Sequence, residues 1–311
     1  MAAYLVTGGA GFIGSHLAET LVRRGEAVRV LDNLSTGKKE NMAAFAGRVE
    51  FIEADIRDLD ACRRSVRGVD HVLHQAALAS VPGSIADPLS TNAVNVTGTL
   101  NLLIAARDAG VRSFVLASTS AVYGDDPSLP KVEGEEGRPL SPYAISKLVG
   151  EKYGQAFHAL HGMKTVALRY FNVFGPRQDP KSEYAAVIPQ FITKVLNGES
   201  PTIYGDGEQS RDFIHVKSVV EANIMAAESS TVGGEVFNIA SGTGLTVNAL
   251  LAALNRILGA AIKPVHEPPR PGDVRHSVAD IGKARRLLGF EPRPSFPEGL
   301  AETISWYRER S

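Results

Sequence analysis

The chain has 311 residues, 44% apolar and 22% charged, which is the balance of an ordinary globular protein with room for one large or two smaller domains. With 33 basic against 34 acidic residues, it presents no global field to attract nucleic acid or an anionic membrane. A single cysteine, Cys62, excludes an internal disulfide and fits a reducing compartment, and its neighbours Asp58, Asp60, Arg63 and Arg64 place it on a surface helix as a bystander thiol. No apolar run approaches the roughly 20 residues that span a bilayer. The N-terminus enters a strand directly, without a basic and then apolar leader, so the expectation is a cytoplasmic protein.

Residues 3–7 are a short apolar run of β type. Gly8-Gly-Ala-Gly-Phe-Ile-Gly14 follows, then a helical pattern over residues 15–22 and a second strand over residues 27–31 that ends at Asp32. Strand, glycine turn, helix, strand and acid in this order form the context of a dinucleotide-binding fingerprint. Gly8, Gly11 and Gly14 satisfy one glycine spacing, and Gly9, Gly11 and Gly14 satisfy another. The first glycines allow a tight turn and close backbone approach to a pyrophosphate over the exposed N–H groups of the helix, with Phe12 and Ile13 as further contacts. Gly14 lets the helix pack on the sheet. Asp32, with Asn33 beside it, can accept hydrogen bonds from both adenosine ribose hydroxyls and would repel a 2′-phosphate. NAD is favoured over NADP, although Lys38 and Lys39 lie nearby.

The alternation continues. Residues 49–53 are strand-like and lead to Asp55 and Ile56, candidate contacts for the adenine edge. Residues 69–74 form a fourth strand, followed by Gln75, Ala76 and Ala77, whose small side chains admit a cofactor or simply pack a turn. A long helix is expected over residues 88–109. It carries Asn95, as a cofactor contact or as polar surface. Residues 113–117 form a fifth strand that opens into Ser118-Thr-Ser-Ala-Val-Tyr-Gly124.

Ser141-Pro-Tyr-Ala-Ile-Ser-Lys147 then starts a helix, with Ser141 able to cap it and Pro142 suited to the first position. Tyr143 and Lys147 stand at i and i+4, roughly 6 Å apart at Cβ. A free tyrosine has a pKa of about 10, and a cation beside it favours the phenolate and makes it usable as a proton acceptor. Alone, the pair also reads as an ordinary helix surface. Of the eight tyrosines, only Tyr143 has a lysine four residues on.

Residues 165–169 complete a sixth strand. Strands alternating with helices over about 170 residues predict an α/β, Rossmann-type, doubly wound parallel sheet with its ligands at the strand carboxyl ends. Beyond Asn172 the rhythm breaks. A helix is expected near 184–197, a strand at 202–204, a polar loop at 205–212, a helix at 216–228 and a strand-like run at 234–239. Helices follow at 246–258, 279–288 and 297–310, with a turn at 268–273. Residues 1–171 plus about 212–234 are assigned to the Rossmann domain, and 172–211 plus about 235–311 to a smaller α/β domain over the strand ends.

Tyr-x-x-x-Lys together with the N-terminal glycine motif resembles the short-chain dehydrogenase/reductase superfamily. Thr119 four residues before Tyr123-Gly124, Arg169-Tyr-Phe-Asn-Val-Phe-Gly175, Ser210-Arg-Asp-Phe-Ile-His215 and Arg270-Pro-Gly-Asp273 narrow the resemblance to the extended branch acting on nucleotide sugars. His74-Gln-Ala-Ala-Leu78, Ser80-Val-Pro82, Ala185-Ala-Val-Ile-Pro189 and Arg275-His-Ser-Val-Ala-Asp280 are most similar to UDP-hexose 4-epimerases, especially the bacterial UDP-N-acetylglucosamine 4-epimerases.

The resemblance implies a homodimer that binds NAD and a UDP-sugar. It implies Tyr143 as the acceptor of the proton of the sugar 4-hydroxyl, with Thr119 bonded to the same oxygen. Hydride passes from C4 to NAD and returns to the opposite face of the turned 4-keto sugar. Lys147 would hold the nicotinamide ribose and, with the positive nicotinamide, lower the phenol's pKa. Ser118 and Ser120 share Thr119's role or pack the turn. Asn172, Arg211 and Arg270 match positions that bind the diphosphate, for which the guanidinium fork is suited. Asp273 would meet the uridine ribose and Tyr204 the uracil, with Ser80 and Val187 as further substrate contacts.

Two departures discriminate among relatives. The 4,6-dehydratases carry Asp-Glu after the catalytic threonine, and UDP-glucuronate decarboxylases a Glu at the second place, where this chain has Ser120 and Ala121. Ser277 matches a pocket-wall position that is bulky in enzymes restricted to glucose and galactose and small in those accepting N-acetyl sugars. A small residue admits the larger substrate without excluding the smaller. The expectation is a UDP-sugar 4-epimerase for UDP-GlcNAc/UDP-GalNAc, and also for UDP-Glc/UDP-Gal. The alternatives are a UDP-glucuronate or other nucleotide-sugar 4-epimerase, and a non-catalytic NAD-binding sensor on the same fold.

Overall fold

A computed structural model of the chain describes residues 1–180, 186–269 and 275–310. The first half alternates β1 (Ala3–Thr7), α1 (Phe12–Arg23), β2 (Ala27–Asp32), β3 (Glu50–Glu53), α2 (Leu59–Ser65), β4 (His71–His74), α3 (Val81–Ala86), α4 (Pro88–Asn92), α5 (Thr99–Asp108), β5 (Ser113–Thr119), α6 (Pro142–His161) and β6 (Lys164–Tyr170). The second half has β7 (Val173–Phe174), α7 (Val187–Leu196), β8 (Thr202–Tyr204), β9 (Ser210–Asp212), β10 (Ile214–His215), α8 (Val216–Glu228), β11 (Val236–Ile239) and β12 (Gly244–Thr246). It closes with α9 (Val247–Leu258), β13 (Val265–Glu267), β14 (His276–Ser277), α10 (Gly282–Leu288) and α11 (Phe296–Arg308).

Seven parallel strands form the central sheet in the order β11-β6-β5-β4-β1-β2-β3. Helices cover both faces, so the strands are apolar runs without alternation; Tyr4, Leu5 and Val6 of β1 are all fully buried. On one face Leu17 and Leu21 of α1 pack with Val219 and Ile224 of α8. On the other, Leu102 and Leu103 of α5 pack with Val72, Phe114 and Phe157. A third cluster joins Ile188 and Phe191 of α7, Leu250 and Leu254 of α9 and Ile304 of α11. The chain leaves β1 for β2 in one direction and returns to β4 on its other side, so a cleft opens between the carboxyl ends of β1 and β4. Among the described residues, no helix is long and apolar enough to cross a membrane.

Four expectations need correction. Residues 236–239 do not join the smaller domain: β11 pairs with β6 in the central sheet, and Ala284 and Phe290 from around α10 pack in the layer of α1 and α8. The loss of rhythm after Asn172 hides this return, because the crossover through α8 is preceded by residues that build elsewhere. The polar stretch 205–212 contains a strand, β9, held between β12 and β14. The helix expected over 88–109 widens to a π-type turn at Ala93–Gly98. Finally, Cys62 is fully buried on the inner face of α2, where its thiol donates to the Ile56 carbonyl at 3.2 Å and burial pushes its pKa up to about 12. Its charged neighbours mark only the outer face of that helix. Such a thiol is inert.

The edge position of β11 carries a test. Phe237 is fully buried in the layer beneath α8, and Phe237→Ala is expected to destabilise the fold by about 3–5 kcal/mol, read as a lower denaturant midpoint. A change below about 1 kcal/mol would argue that β11 is not part of the central sheet.

Candidate functional site

The cleft starts at the turn after β1. Gly8 has φ +66°, and a Cβ there would lie 2.8 Å from the backbone nitrogen of Ala76. A Cβ at Gly14 would lie 2.1 Å from the Gly8 carbonyl oxygen. Both glycines are therefore demanded by close backbone approach. No side chain caps the start of α1, so its first N–H groups face the cleft and suit a pyrophosphate. Asp32 at the end of β2 accepts the Ala10 and Leu34 N–H groups at 2.9 and 2.8 Å, which fixes its carboxylate at the rim. Asn33 donates to Asp55 at 2.8 Å. The Arg57 guanidinium holds the Asp55 carboxyl down to about 2. Lys38 faces Asp179 at 2.5 Å and Lys39 faces Glu53 at 2.9 Å, so each has a carboxylate partner.

One continuous cleft is lined by Gly8, Gly11, Phe12, Ile13, Gly14, Asp32, Asn33, Asp55, Ile56, Gln75, Ala76, Ala77, Tyr143 and Lys147. Asn95 does not line it. It is buried behind the loop after β4, where its side chain accepts the Leu78 N–H at 2.8 Å and donates to the Leu78 carbonyl and Ser146 hydroxyl, each at 3.0 Å. It is not polar surface: its side chain, carried on the π-type turn, is spent on holding that loop and Ser146.

That loop hangs on a directed chain of hydrogen bonds. Thr99 donates to the Asn95 carbonyl at 2.6 Å, so its oxygen accepts from His74 Nε2 at 2.9 Å. His74 Nδ1 must then accept from Thr7, whose oxygen accepts the Ala76 N–H. The ring is neutral by geometry, and burial holds its pKa down to about 3 against an ordinary 6.5. Below pH 6.5 the unfolded chain binds the proton that the folded ring refuses, so stability falls as pH drops toward about 3. His74→Asn is expected to be less stable at pH 7 and to lose part of that acid dependence, measured as denaturant midpoints across this window. An unchanged slope would contradict a His74 ring held neutral in the fold.

At the far end, Ser141 caps α6 through the Ala144 N–H at 3.1 Å, with Pro142 at the first helical position. Tyr143 and Lys147 then face the cleft from successive turns. Lys147 Nζ donates to the Ala117 carbonyl at 3.0 Å, and burial lowers its pKa to about 8. Burial raises the Tyr143 phenol above its ordinary value, and the Thr119 hydroxyl beside it pulls it back. The Lys147 ammonium is turned to the Ala117 carbonyl of β5. Thr119 accepts the Ala121 N–H at 3.2 Å, which leaves its proton for the phenol or a ligand. The Ser118 hydroxyl is committed to the buried Glu151 carboxylate at 2.5 Å and does not duplicate Thr119. Ser120 opens a short 3-10 turn directly after Thr119.

Several residues lie away from this cleft. Ser80 caps α3 through the Gly83 N–H at 2.9 Å. Asn172, just past β6, donates to the Asp212 carbonyl at 3.2 Å and ties the end of the central sheet to β9. Arg211 precedes Asp212 there, with Ser277 of β14 as its register partner. Val187 begins α7 and Tyr204 ends β8. Arg270 and Asp273, like Ala185, lie outside the described residues.

Sequence reasoning missed three things here. Ser35 and Thr36 line the cleft beside Asp32, and proximity to the acid was their only signal. Tyr170 also lines it, its hydroxyl bonded to Asn223 and Gln75. Asp212, fully buried, accepts N–H groups of Ser241, Gly242 and Ala279 and so fixes the strand that carries Arg211. It stands in the Ser210–His215 motif beside Arg211, but only the tertiary structure shows its role.

A doubly wound sheet whose switch-point cleft joins a glycine turn and a ribose-binding acid to a Tyr–Lys pair defines a dinucleotide-dependent enzyme. Residues 4–240 match the NAD dependent epimerase/dehydratase family. The chain is 41% identical over 309 residues to a putative UDP-glucose 4-epimerase of Methanocaldococcus jannaschii, covering 99% of both chains. It superposes on the UDP-N-acetylglucosamine 4-epimerase from Methanobrevibacter ruminantium M1, solved with UDP-N-acetylmuramic acid, with a TM-score of 0.95, 45% identity and coverage of 100% and 99%. It superposes equally on the UDP-glucose 4-epimerase of Thermotoga maritima, solved with UDP-glucose, with a TM-score of 0.94, 43% identity and 99% coverage of both. The chain belongs to the NAD dependent epimerase/dehydratase family, and its cofactor is NAD.

Proposed function

We propose that this chain is a UDP-sugar 4-epimerase acting on UDP-GlcNAc/UDP-GalNAc, and also on UDP-Glc/UDP-Gal. The observation that carries the reading is the Tyr143 phenol beside the Thr119 hydroxyl at the end of the NAD cleft, followed by Ser120 and Ala121 instead of acids. A dehydratase needs a second acid–base pair to remove water. Tyr143 and Thr119 support only the removal and return of one proton at one oxygen.

NAD, when bound, supplies the acceptor for the C4 hydride and gives it back. Gly8, Gly11 and the uncapped start of α1 hold its pyrophosphate, Asp32 its adenosine ribose and Lys147 its nicotinamide ribose. Tyr143 takes the 4-hydroxyl proton while Thr119 bonds to the same oxygen. The phenol that burial holds neutral becomes a base once the cofactor's positive ring stands beside it. Ser277 next to Arg211 leaves space for an acetamido group on a sugar whose diphosphate Arg211, Arg270 and Asn172 bind.

The test is conversion of UDP-GlcNAc and UDP-Glc, side by side, by purified protein without added NAD, with each C4 epimer resolved. Interconversion of both pairs is expected. Turnover of UDP-Glc alone would remove the role of Ser277. Silence on both after NAD addition would defeat the epimerase for these sugars and turn attention to UDP-glucuronate, then to a sensor.

The reading includes a homodimer, working in the cytoplasm. The packed helices α3, α4 and α6 expose Val81, Ile85, Leu89 and Ile145, with Leu89 83% exposed, an apolar surface suited to a second copy. Leu89→Glu is expected to shift the sedimentation coefficient to that of a monomer; an unchanged value would move the interface elsewhere.

A further inference from the structure

Arg169 of β6 and Glu151 of α6 are each 1% exposed, and the reactions above give neither a part. The guanidinium closes on the carboxylate as a fork, Nε to Oε1 at 2.8 Å and Nη2 to Oε2 at 2.7 Å. Nη2 also meets Glu136 at 2.5 Å, from the segment between Thr119 and α6. Glu151 in turn accepts the Ser118 hydroxyl, and Ser118 is the register partner of Arg169. Glu151 stands one helical turn beyond Lys147 and two beyond Tyr143, so the three share a face of α6. Consecutive residues of β5 are thus gripped by consecutive turns of α6: Lys147 holds Ala117 and Glu151 holds Ser118.

A buried ion cluster is a weak stabiliser, because desolvating the charges offsets most of their attraction. An apolar side chain at 151 would also fill the space between α6 and the sheet. It would lack direction. Hydrogen bonds with narrow geometry fix the rotation of α6 about its axis and its slide along β5, which packing alone leaves soft.

We propose that Glu151 is a positioning residue of the active site: held by Arg169, it locks α6 onto Ser118 and so sets the Tyr143 phenol against the Thr119 hydroxyl. Glu136 anchors the intervening segment to the same guanidinium, so Thr119 and Tyr143 are referred to one fixed point through both the sheet and the loop. The kinetic part of the argument rests on the epimerase reading above.

Glu151→Gln keeps the size but sets an amide N–H2 against a donating guanidinium, which breaks one arm of the fork. With NAD still bound, kcat is expected to fall about tenfold to a hundredfold, the consequence of a shift approaching 1 Å at the reacting groups. KM for the UDP-sugar should stay within about threefold. The tyrosinate transition of Tyr143 in NAD-loaded protein, read as the absorbance difference between otherwise identical chains with and without Tyr143→Phe, should move to higher pH as the phenol is displaced from the Thr119 hydroxyl. The control is Ser218→Ala, which removes a buried hydroxyl bonded to the Arg293 backbone outside the cleft and lowers stability alone.

Glu151→Gln that matches Ser218→Ala, less stable but with wild-type kcat and titration, overturns the proposal. Should Glu151→Gln fail to fold, Ser118→Ala decides: it breaks the same grip while leaving the ion pair intact. A fall in kcat of about threefold to tenfold at unchanged KM supports the proposal, and wild-type kcat overturns it. A wild-type protein that turns over no UDP-sugar defeats the epimerase reading; the displaced Tyr143 transition then decides this one by itself.

Discussion

Tyr143→Phe is expected to lower turnover of UDP-sugars by about 10³-fold or more while leaving NAD bound and the fold intact, since placed acid–base groups contribute about 10²–10⁴. The substitution removes one oxygen. The ring keeps its place on α6, Lys147 keeps its bond to the Ala117 carbonyl, and the glycine turn is untouched. What is lost is the group that the proposed reaction uses to accept the 4-hydroxyl proton, beside Thr119. The measurement is epimer formation under saturating substrate, with bound NAD quantified after denaturation. A loss below tenfold would assign the proton to another group.

Gly14→Ala is expected to abolish co-purified NAD and to destabilise the protein by about 1–3 kcal/mol, the range for overpacking a tight contact. The added Cβ would stand 2.1 Å from the Gly8 carbonyl oxygen and 2.9 Å from Gly9 Cα, both backbone atoms that no side-chain rotation can move away. Relief requires α1 to shift from the turn. That displaces the N–H groups that face the pyrophosphate and the Gly11 N–H bonded to Gly8 at 3.0 Å. Equilibrium binding of NAD and thermal melting report the two effects separately. Wild-type NAD retention in Gly14→Ala would show that the pyrophosphate does not sit over this helix.

The amino-acid sequence by itself determined what short-range physics decides. Gly11 and Gly14 are dictated by approach distances within one turn, and Asp32 by its place at the end of the second strand. The Ser141 cap and the i, i+4 spacing of Tyr143 and Lys147 need only the geometry of one helix. The alternation of strands with helices over the first 170 or so residues announced a parallel sheet, because parallel neighbours need a crossover between them.

The tertiary structure alone decided the rest, because burial and polar partners come from segments far apart in the chain. Asn95 was withdrawn from the cleft to hold Leu78 and Ser146, and Cys62 was turned inward onto Ile56. Ser118 and Thr119 carry similar hydroxyls side by side, yet Ser118 is bonded to the buried Glu151 carboxylate, while Thr119 at the end of β5 accepts the Ala121 N–H and stands beside the Tyr143 phenol. The four residues of β11 found their place beside β6 only once α8 had carried the chain back across the sheet. The alkaline shift of Tyr143 likewise comes from desolvation, which spacing along a helix does not encode.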